Sequence, residues 1–353
     1  MIVANGRKTV TLADVARHAG VSKTTASHAI SGKGWVADST RETVLRLADE
    51  MGFQIDPLAR LLSNGRSEKT IGFYTLDLDL SGRTRQLQII QATLSERGYS
   101  VPIYAYGYKG RDELANQMEL MDNLAAQRPR AIICNTSGVH KKVLQRLQKF
   151  ADDGGILVCH GYFEFAPLSC DQIMHTQGES FGLATRHLTQ LGHRKIGVFN
   201  VGQRKPADRV LDCVTEALRE VKAAVHDEWL FCNDGTRRYE EDGARLGEEF
   251  LALKERPTAM LIANDYAATA FIATVTRGGV RVPHDVSVVG FDDDAIAPYG
   301  VVPLTTVSAP VEKVATHVVE LLISRLEAGF SDEPRFITVR GELIVRESTA
   351  APR

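Results

Sequence analysis

The chain has 353 residues, long for one compact domain and comfortable for two or three. Apolar residues make up 44% and charged residues 24%, the make-up of an ordinary globular protein with enough material for a real core. Its 42 Lys and Arg stand against 44 Asp and Glu, a formal net charge of -2 that excludes a protein coating nucleic acid indiscriminately.

The balance is uneven along the chain, because Arg7, Lys8, Arg17, Lys23 and Lys33 meet only Asp14 before residue 34. This first stretch reads as short helices. Thr11 is placed to cap a helix reaching Ala19, with Asp14 in its first turn and Gly20 just past its end. Ser22 caps a second helix running to about Ile30. Ser39 or Thr40 starts a third, with Val44, Leu47, Ala48 and Met51 on one face and Gly52 at its end. Asp56-Pro57 then supplies an N-cap and a favoured first helical residue, and Asn64-Gly65 a stop. One or two helical turns do not hold together alone in water, so this segment is a linker that needs a partner.

From Ile71 the pattern changes. Strands are expected at 71–76, 101–104, 131–134, 156–159, 196–200, 259–263 and 286–291, separated by amphipathic helices such as Phe181-Ala184-Leu188-Leu191. Alternation of this kind marks α/β architecture with doubly wound parallel sheets, and about 280 residues of it exceed one usual core, so two lobes are expected. A last helix carries Val311, Val314, Ala315, Val318 and Leu322 on one side, and the turn-like 302–307 before it is suited to return the chain between lobes.

No apolar run approaches membrane-spanning length, and the N-terminus has no secretion-signal core. The five cysteines (Cys134, Cys159, Cys170, Cys213, Cys232) are scattered without a CxxC pair, which argues against disulfides and zinc. The cytoplasm is the expected compartment.

Ala16, Gly20 and Ala26 sit where a helix-turn-helix needs a small contact residue, a turn glycine and a compact apolar residue in the second helix. With the caps and the local basic charge they favour DNA binding over a plain helical hairpin. Here the chain resembles the lactose-repressor (LacI/GalR) family. Residues 11–16 (TLADVA) and 20–27 (GVSKTTAS) are similar to its headpiece, 39–44 (STRETV) to its third helix and 59–62 (ARLL) to its hinge. The segments 187–196 (HLTQLGHRKI), 263–265 (AND), 288–293 (VVGFDD) and 303–307 (PLTTV) resemble further family blocks, so the likeness covers nearly the whole chain in the expected order.

The resemblance implies a helix-turn-helix headpiece over residues 1–55 and a hinge helix and linker over 56–69. It also implies a two-lobed, periplasmic-binding-protein-like sensor, with one lobe over 70–166 and 304–328 and the other over 167–303 and 329–349. A sequence-specific regulator follows, reading near-palindromic double-stranded operator DNA as a homodimer under a small-molecule effector, with no membrane role. In that family the second helix lies in the major groove. By position its readers are Lys23, Thr24 and His28, with Ser22 and Thr25 at the helix start. Lys bonds guanine acceptors and Thr a base or thymine methyl, whereas His28 stands where arginine is usual and takes either a base or a phosphate. Ala59 and Leu62 fall in the hinge, where a leucine wedges into the minor groove and kinks the duplex; packing against a partner's hinge is the other role open to Leu62.

Effector sites in this family lie between the lobes. Arg209, Asn264 and Asp292 correspond by position, with His160, Arg83, Lys205 and Arg238 at further cleft positions. Arg with Asp grips hydroxyls or a carboxylate, or forms a structural ion pair. Four cations turned to one cleft predict an anionic effector, a sugar phosphate or sugar acid; cations turned to solvent remove that preference. No GxSxG, HExxH or P-loop spacing is present, so neither catalysis nor a metal or cofactor is expected. His193 follows a helix-ending glycine and reads as a partner for the helix dipole. A secreted solute-binding protein would lack the headpiece, and a fused sugar-metabolising enzyme would need a nucleotide loop or a base in the cleft.

Overall fold

The computed structural model describes residues 10–31, 36–51, 67–76, 78, 81–107, 113–162, 165–200, 209–232, 238–328 and 333–353. They form two units, Met1–Ser67 and Glu68–Arg353, each with its own core.

The first unit holds α1 (Leu12–His18), α2 (Lys23–Ser31) and α3 (Asp38–Glu50). The start of α1 is a capping box. Thr11 Oγ1 accepts the Asp14 N–H at 3.3 Å, and the Asp14 carboxylate accepts the Thr11 N–H at 3.0 Å. Gly20, at φ +65°, makes the turn into α2, a backbone conformation that a Cβ disfavours. Ser22 Oγ then accepts the Thr25 N–H at 3.0 Å and caps α2. Val15, Ala16, Ala26, Ala29, Val36, Val44 and Ala48 close the core, and the two alanines singled out by spacing are buried in it. α3 starts at Asp38, one residue before the expected cap, and Ala37 gives it no side-chain bond. The hinge, with Ala59 and Leu62, lies outside the described residues. The linker expected to reach residue 69 gives way to a strand at Ser67.

The second unit starts with β1 (Ser67–Thr75), α4 (Ser81–Glu96), β2 (Ile103–Ala105), α5 (Glu113–Ala126), β3 (Pro129–Asn135), α6 (Lys141–Asp152), β4 (Ile156–Gly161) and β5 (Asp171–His175). It continues through α7 (Gln177–Gln190), β6 (Ile196–Asn200), α8 (Arg209–Arg219), β7 (Leu230–Cys232), α9 (Tyr239–Ala252), β8 (Ala259–Ile262), α10 (Asp265–Arg277) and β9 (Ser287–Asp292). It ends with β10 (Thr305–Ser308), α11 (Val311–Ala328), β11 (Phe336–Val339) and β12 (Leu343–Ile344). Two six-stranded sheets result, in the orders β11-β5-β4-β3-β1-β2 and β12-β10-β9-β8-β6-β7. β1 with β2, β3 with β4 and β8 with β9 run parallel, and β12 is antiparallel to β10.

Because successive strand residues point to opposite faces, each sheet is covered on both sides. Phe73, Ile133 and Val158 pack with Ile90, Leu94, Val318 and Leu322 of α4 and α11. Their neighbours Tyr74, Ile132 and Leu157 pack with Met121, Leu124, Val143 and Leu147 of α5 and α6. In the second sheet Met260 and Val288 face Leu246, Phe250 and Phe271, while Leu261 and Val289 face Phe181, Leu188 and Val214.

The lobes divide elsewhere than expected. β5 is hydrogen-bonded to β4 and β11 in the first sheet, so the chain first crosses after His175, not at 166–167. β10 pairs with β9 in the second sheet, which moves the return crossing past Ser308, and β11 moves the third past Val339. The physical reason is that β5, Asp171-Gln172-Ile173-Met174-His175, is mostly polar yet buried. Gln172 bonds the backbone of Ala166 and Leu168, and Asp171 accepts from Arg325 and Arg335 at 2.7 Å each. His193 also differs from expectation. Its buried ring contacts Thr258 Oγ1 (2.8 Å), Ser287 Oγ (3.1 Å) and the Ala350 carbonyl (2.8 Å), fastening the C-terminal segment to the second lobe rather than capping a helix dipole.

Candidate DNA-reading helix and effector cleft

α2 is two-sided. Ala26 and Ala29 are buried against α1 and α3, while Lys23 and Thr24 are exposed at its first turn and His28 is half-buried one turn on. Thr24 and His28, four residues apart, share a face. Ser22 and Thr25 are occupied with each other, their hydroxyls 2.8 Å apart, so they hold the helix start while Lys23 and Thr24 remain available.

The cleft of the second unit forms where strand ends of the two sheets meet. The Gly82 N–H, at the start of α4, donates to Asp294 Oδ1 at 3.3 Å and so joins first lobe to second. Beside it Arg83 hydrogen-bonds Tyr162, and its positive charge acts on His160, Tyr162 and Asp292. His160, at the end of β4, is 3% exposed; its Nδ1 lies 3.4 Å from Gln86 Nε2 and its Nε2 has no partner. Burial, reinforced by Arg83, pulls it down to about 4, so the imidazole is neutral at pH 7. His175, at the end of β5, is 5% exposed, and burial pulls it to about 4 as well. Its ring meets Tyr162 edge-on at 5.8 Å, and its Nδ1 has no partner.

Three carboxylates form the opposite wall. Asn264 caps α10 by accepting the Tyr266 and Ala267 N–H groups at 2.8 and 3.3 Å, and its Nδ2 donates to Asp292 Oδ2 at 3.2 Å. Asp292 closes β9 with φ +102°, strained for a residue with a Cβ. Burial, then the nearby Asp294 carboxylate, push Asp292 up to about 7 against the pull of Arg83 and Asn264. Asp265 is fully buried, accepting from Thr306 Oγ1 and the Asp294 N–H at 2.8 Å each; burial and then Asp292 raise it well above the carboxylate range. It reaches these partners because Gly290 has no Cβ to collide with it.

Of the expected effector residues, the structure therefore brings together Arg83, His160, Asn264 and Asp292. Arg209 is exposed at the first residue of α8. Arg238 is exposed at the start of α9 and lies 3.9 Å from Glu240, so its own helix supplies its counter-charge. Lys205 lies outside the described residues. Of the three expected cations among the described residues, Arg83 is the one placed beside Asp292.

The pattern that defines bacterial regulatory proteins of the lacI family matches residues 11–56, and that of the periplasmic-binding-protein-like domain matches residues 185–349. The chain belongs to the LacI family of bacterial regulatory proteins. It is similar to the HTH-type transcriptional repressor PurR of Photobacterium profundum, 29% identical over 340 residues, 96% of this chain and 98% of that protein. It is 28% identical over 361 residues to the ribose operon repressor of Haemophilus influenzae, with 96% and 98% covered. Among solved structures it resembles the Lac repressor dimer bound to operator and the anti-inducer ONPF, with TM-score 0.75, 24% identity, 98% of this chain and 100% of that one covered. It also resembles the complex of the transcriptional regulator CelR with cellobiose, with TM-score 0.67, 26% identity, 96% and 99% covered. This LacI-family chain is accordingly a DNA-binding transcriptional regulator with an effector-binding sensor, and not an enzyme.

Tyr162, Gln86, His175, Asp265 and Asp294 in the regulator's cleft were not found from the sequence. One signal was present: His160 and His175 are polar residues closing apolar strands, and in parallel sheets such ends face the ligand crevice.

Proposed function

We propose that this regulator represses a metabolic operon by holding a near-palindromic operator as a homodimer, under control of a small sugar-like effector bound between its lobes. On the DNA side Lys23 and Thr24 read base edges, His28 a base or a phosphate, and Ser22 and Thr25 fix the helix start. The hinge residues Leu62 and Ala59 serve the minor groove. In the sensor Arg83 and His160 meet the ligand from the first lobe, and Asn264 and Asp292 from the second, with Arg209, Arg238 and Lys205 as further candidate contacts. The cytoplasm is the compartment this role requires.

One observation carries the reading: polar side chains of both lobes converge, and there two nine-tenths-buried imidazoles keep unpartnered nitrogens. Such atoms are costly unless a ligand or water satisfies them. A ligand touching both lobes biases their closure by its differential affinity for the open and closed forms. The printed names of relatives agree with small-molecule control: one governs a ribose operon, and a structural neighbour was solved with cellobiose.

The test uses the full chain. Selection from random duplexes is expected to enrich a two-fold symmetric sequence, and a metabolite screen by thermal shift to find a stabiliser that changes affinity for it. Enrichment of no symmetric sequence, or a stabiliser with no effect on DNA binding, overturns the proposal.

A further inference from the structure

The turn that carries Asp292 is held in an unfavourable backbone conformation. Asp292 and Asp293 stand at φ +102° and +54°, two successive residues with a Cβ in the left-handed region. Such geometry persists where the surroundings over-determine it. Each residue of this turn is fastened to a different part of the chain. The Asp292 carbonyl accepts the Ala309 N–H at 3.0 Å. The Asp294 N–H donates to Asp265 Oδ2 at 2.8 Å, and Asp294 Oδ1 accepts the Gly82 N–H of the first lobe at 3.3 Å. Asp293 is held by Arg346, whose Nη2 donates to Asp293 Oδ1 at 2.7 Å while its Nη1 donates to the Leu304 carbonyl at 2.8 Å. Arg346 is itself pinned. Its N–H donates to Thr305 Oγ1 at 2.9 Å. Two residues on, the fully buried Ser348 hydroxyl accepts the Thr305 N–H at 2.8 Å and donates to the Val288 carbonyl at 2.6 Å. The guanidinium therefore reaches the turn from a backbone fixed on β9 and β10, and its side chain and that of Asp293 are 18% and 28% exposed.

We propose that Arg346 is a positioning residue of the effector cleft: by holding Asp293 it keeps the turn in the conformation that presents Asp292 to the ligand and Asp294 to the first lobe. Its bearing on the effector rests on the cleft being the effector site. The planar guanidinium suits the task, because one rigid group bonds a carboxylate of the turn and a carbonyl at the start of β10 at once. Without it Asp293 is free to leave the left-handed region. A change of φ there re-aims the residues on either side, so Asp292 moves out of its buried place and Asp294 loses its aim at Gly82. A lysine, a point charge on a flexible stem, holds one of the two acceptors rather than both.

Two readouts on the full chain, neither needing a ligand, test this. The first is deuterium exchange of the Gly82 amide, which lies in the other lobe from Arg346. Arg346→Gln is expected to speed it about tenfold. The second is the stability gained by Asp292→Asn over its own background, which grows as pH rises from about 4 to 7 while Asp292 is buried. With Arg346→Gln as the background that growth is expected to fall to about half or less. Arg346→Lys should lie between this variant and the parent. Asp293→Asn keeps the left-handed backbone accessible and removes the charge, so it should show part of both effects, and the double variant no more than Arg346→Gln alone. Ser348→Ala is the control: it loosens the C-terminal segment without touching the turn, and is expected to lower the melting point and leave both readouts at parent values. If Arg346→Gln is folded by circular dichroism and leaves both readouts unchanged, Arg346 merely fastens the C-terminus and the proposal fails. Equal effects from Ser348→Ala also overturn it. Should Arg346→Gln not fold, Arg346→Lys and Asp293→Asn decide by the same two readouts, and parent values in both sink it. Failure of the metabolite screen would remove the effector reading by itself and leave these outcomes standing.

Discussion

His160 and His175 give the sensor a pH dependence whose sign follows from their burial. Both are held near 4, below the ordinary imidazole value of about 6.5. The folded chain binds fewer protons at these sites than the unfolded chain. Their contribution to stability is therefore complete above about pH 6.5 and is lost as pH falls toward 4. Asp292 runs the other way. Raised to about 7, its contribution is complete below the ordinary carboxylate value near 4 and is lost as pH rises through 7. Asp294, Arg83, Asn264, Asp265 and Tyr162 are the groups around it. The melting midpoint of His160→Gln, measured against the parent, is expected to rise as pH drops from 6.5 to 4. That of Asp292→Asn is expected to rise from pH 4 to 7; a flat difference in either series contradicts the burial argument. On the headpiece, Lys23→Ala or Thr24→Ala is expected to cost about 1–3 kcal/mol of discrimination at one or two operator positions per half-site. A uniform loss on all sequences would make them phosphate contacts. The headpiece was legible in sequence because its caps and turn are local, three or four residues apart. The cleft was half legible: Asn264 and Asp292 stand at strand ends in recognisable blocks, whereas Tyr162 and Gln86 matter through partners far along the chain.

At the scale of elements, β5 and its staple decide where the first lobe ends. Asp171 is almost fully buried, and its carboxylate meets Arg325 of α11 and Arg335 just before β11, each at 2.7 Å. One side chain thus ties three segments that are up to 164 residues apart in sequence. The hydrogen bonds to both arginines outweigh its desolvation and hold the carboxyl below its usual range. Asp171→Ala takes this carboxylate from Arg325, whose side chain is 12% exposed, and from Arg335. The expected destabilisation is about 3–5 kcal/mol, read by denaturant unfolding of the full chain. A loss under 1 kcal/mol, roughly the value of an exposed ion pair, would show the staple to be dispensable. The same residues explain what periodicity missed. Apolar runs such as β3, β4, β8 and β9 are self-announcing, because burial on both faces demands continuous hydrophobic sequence. β5 carries Asp, Gln and His into the interior and pairs them there, so no local pattern marks it as a strand.

The whole molecule must present two headpieces to one symmetric operator, so its affinity for DNA depends on self-association. The hinge offers one test: Leu62→Ala is expected to weaken operator binding far more than binding to random duplex, with little change in salt slope, because no phosphate contact is removed. Equal loss on both would point to a folding role. Association itself has a candidate surface on the second lobe. Tyr299 is 82% exposed and Val301 73% exposed, two large apolar side chains in the short segment between β9 and β10. Single exposed apolar residues are unremarkable, but a pair this open in one short segment suits a contact between copies. A tyrosine at the centre of such a contact contributes more than its neighbours, since its ring is large, rigid and bears a polar tip. Aspartate there would bury a charge in each copy across a two-fold axis, close to its own counterpart. Tyr299→Asp is accordingly expected to shift the protein from dimer to monomer at low micromolar concentration by light scattering. It should leave the sensor's effector-induced thermal shift intact, because the ring of Tyr299 is open to solvent. Operator binding should weaken and become steeply dependent on protein concentration, since dimerisation must then precede or accompany it. An unchanged mass and an unchanged binding curve would remove this face from the interface.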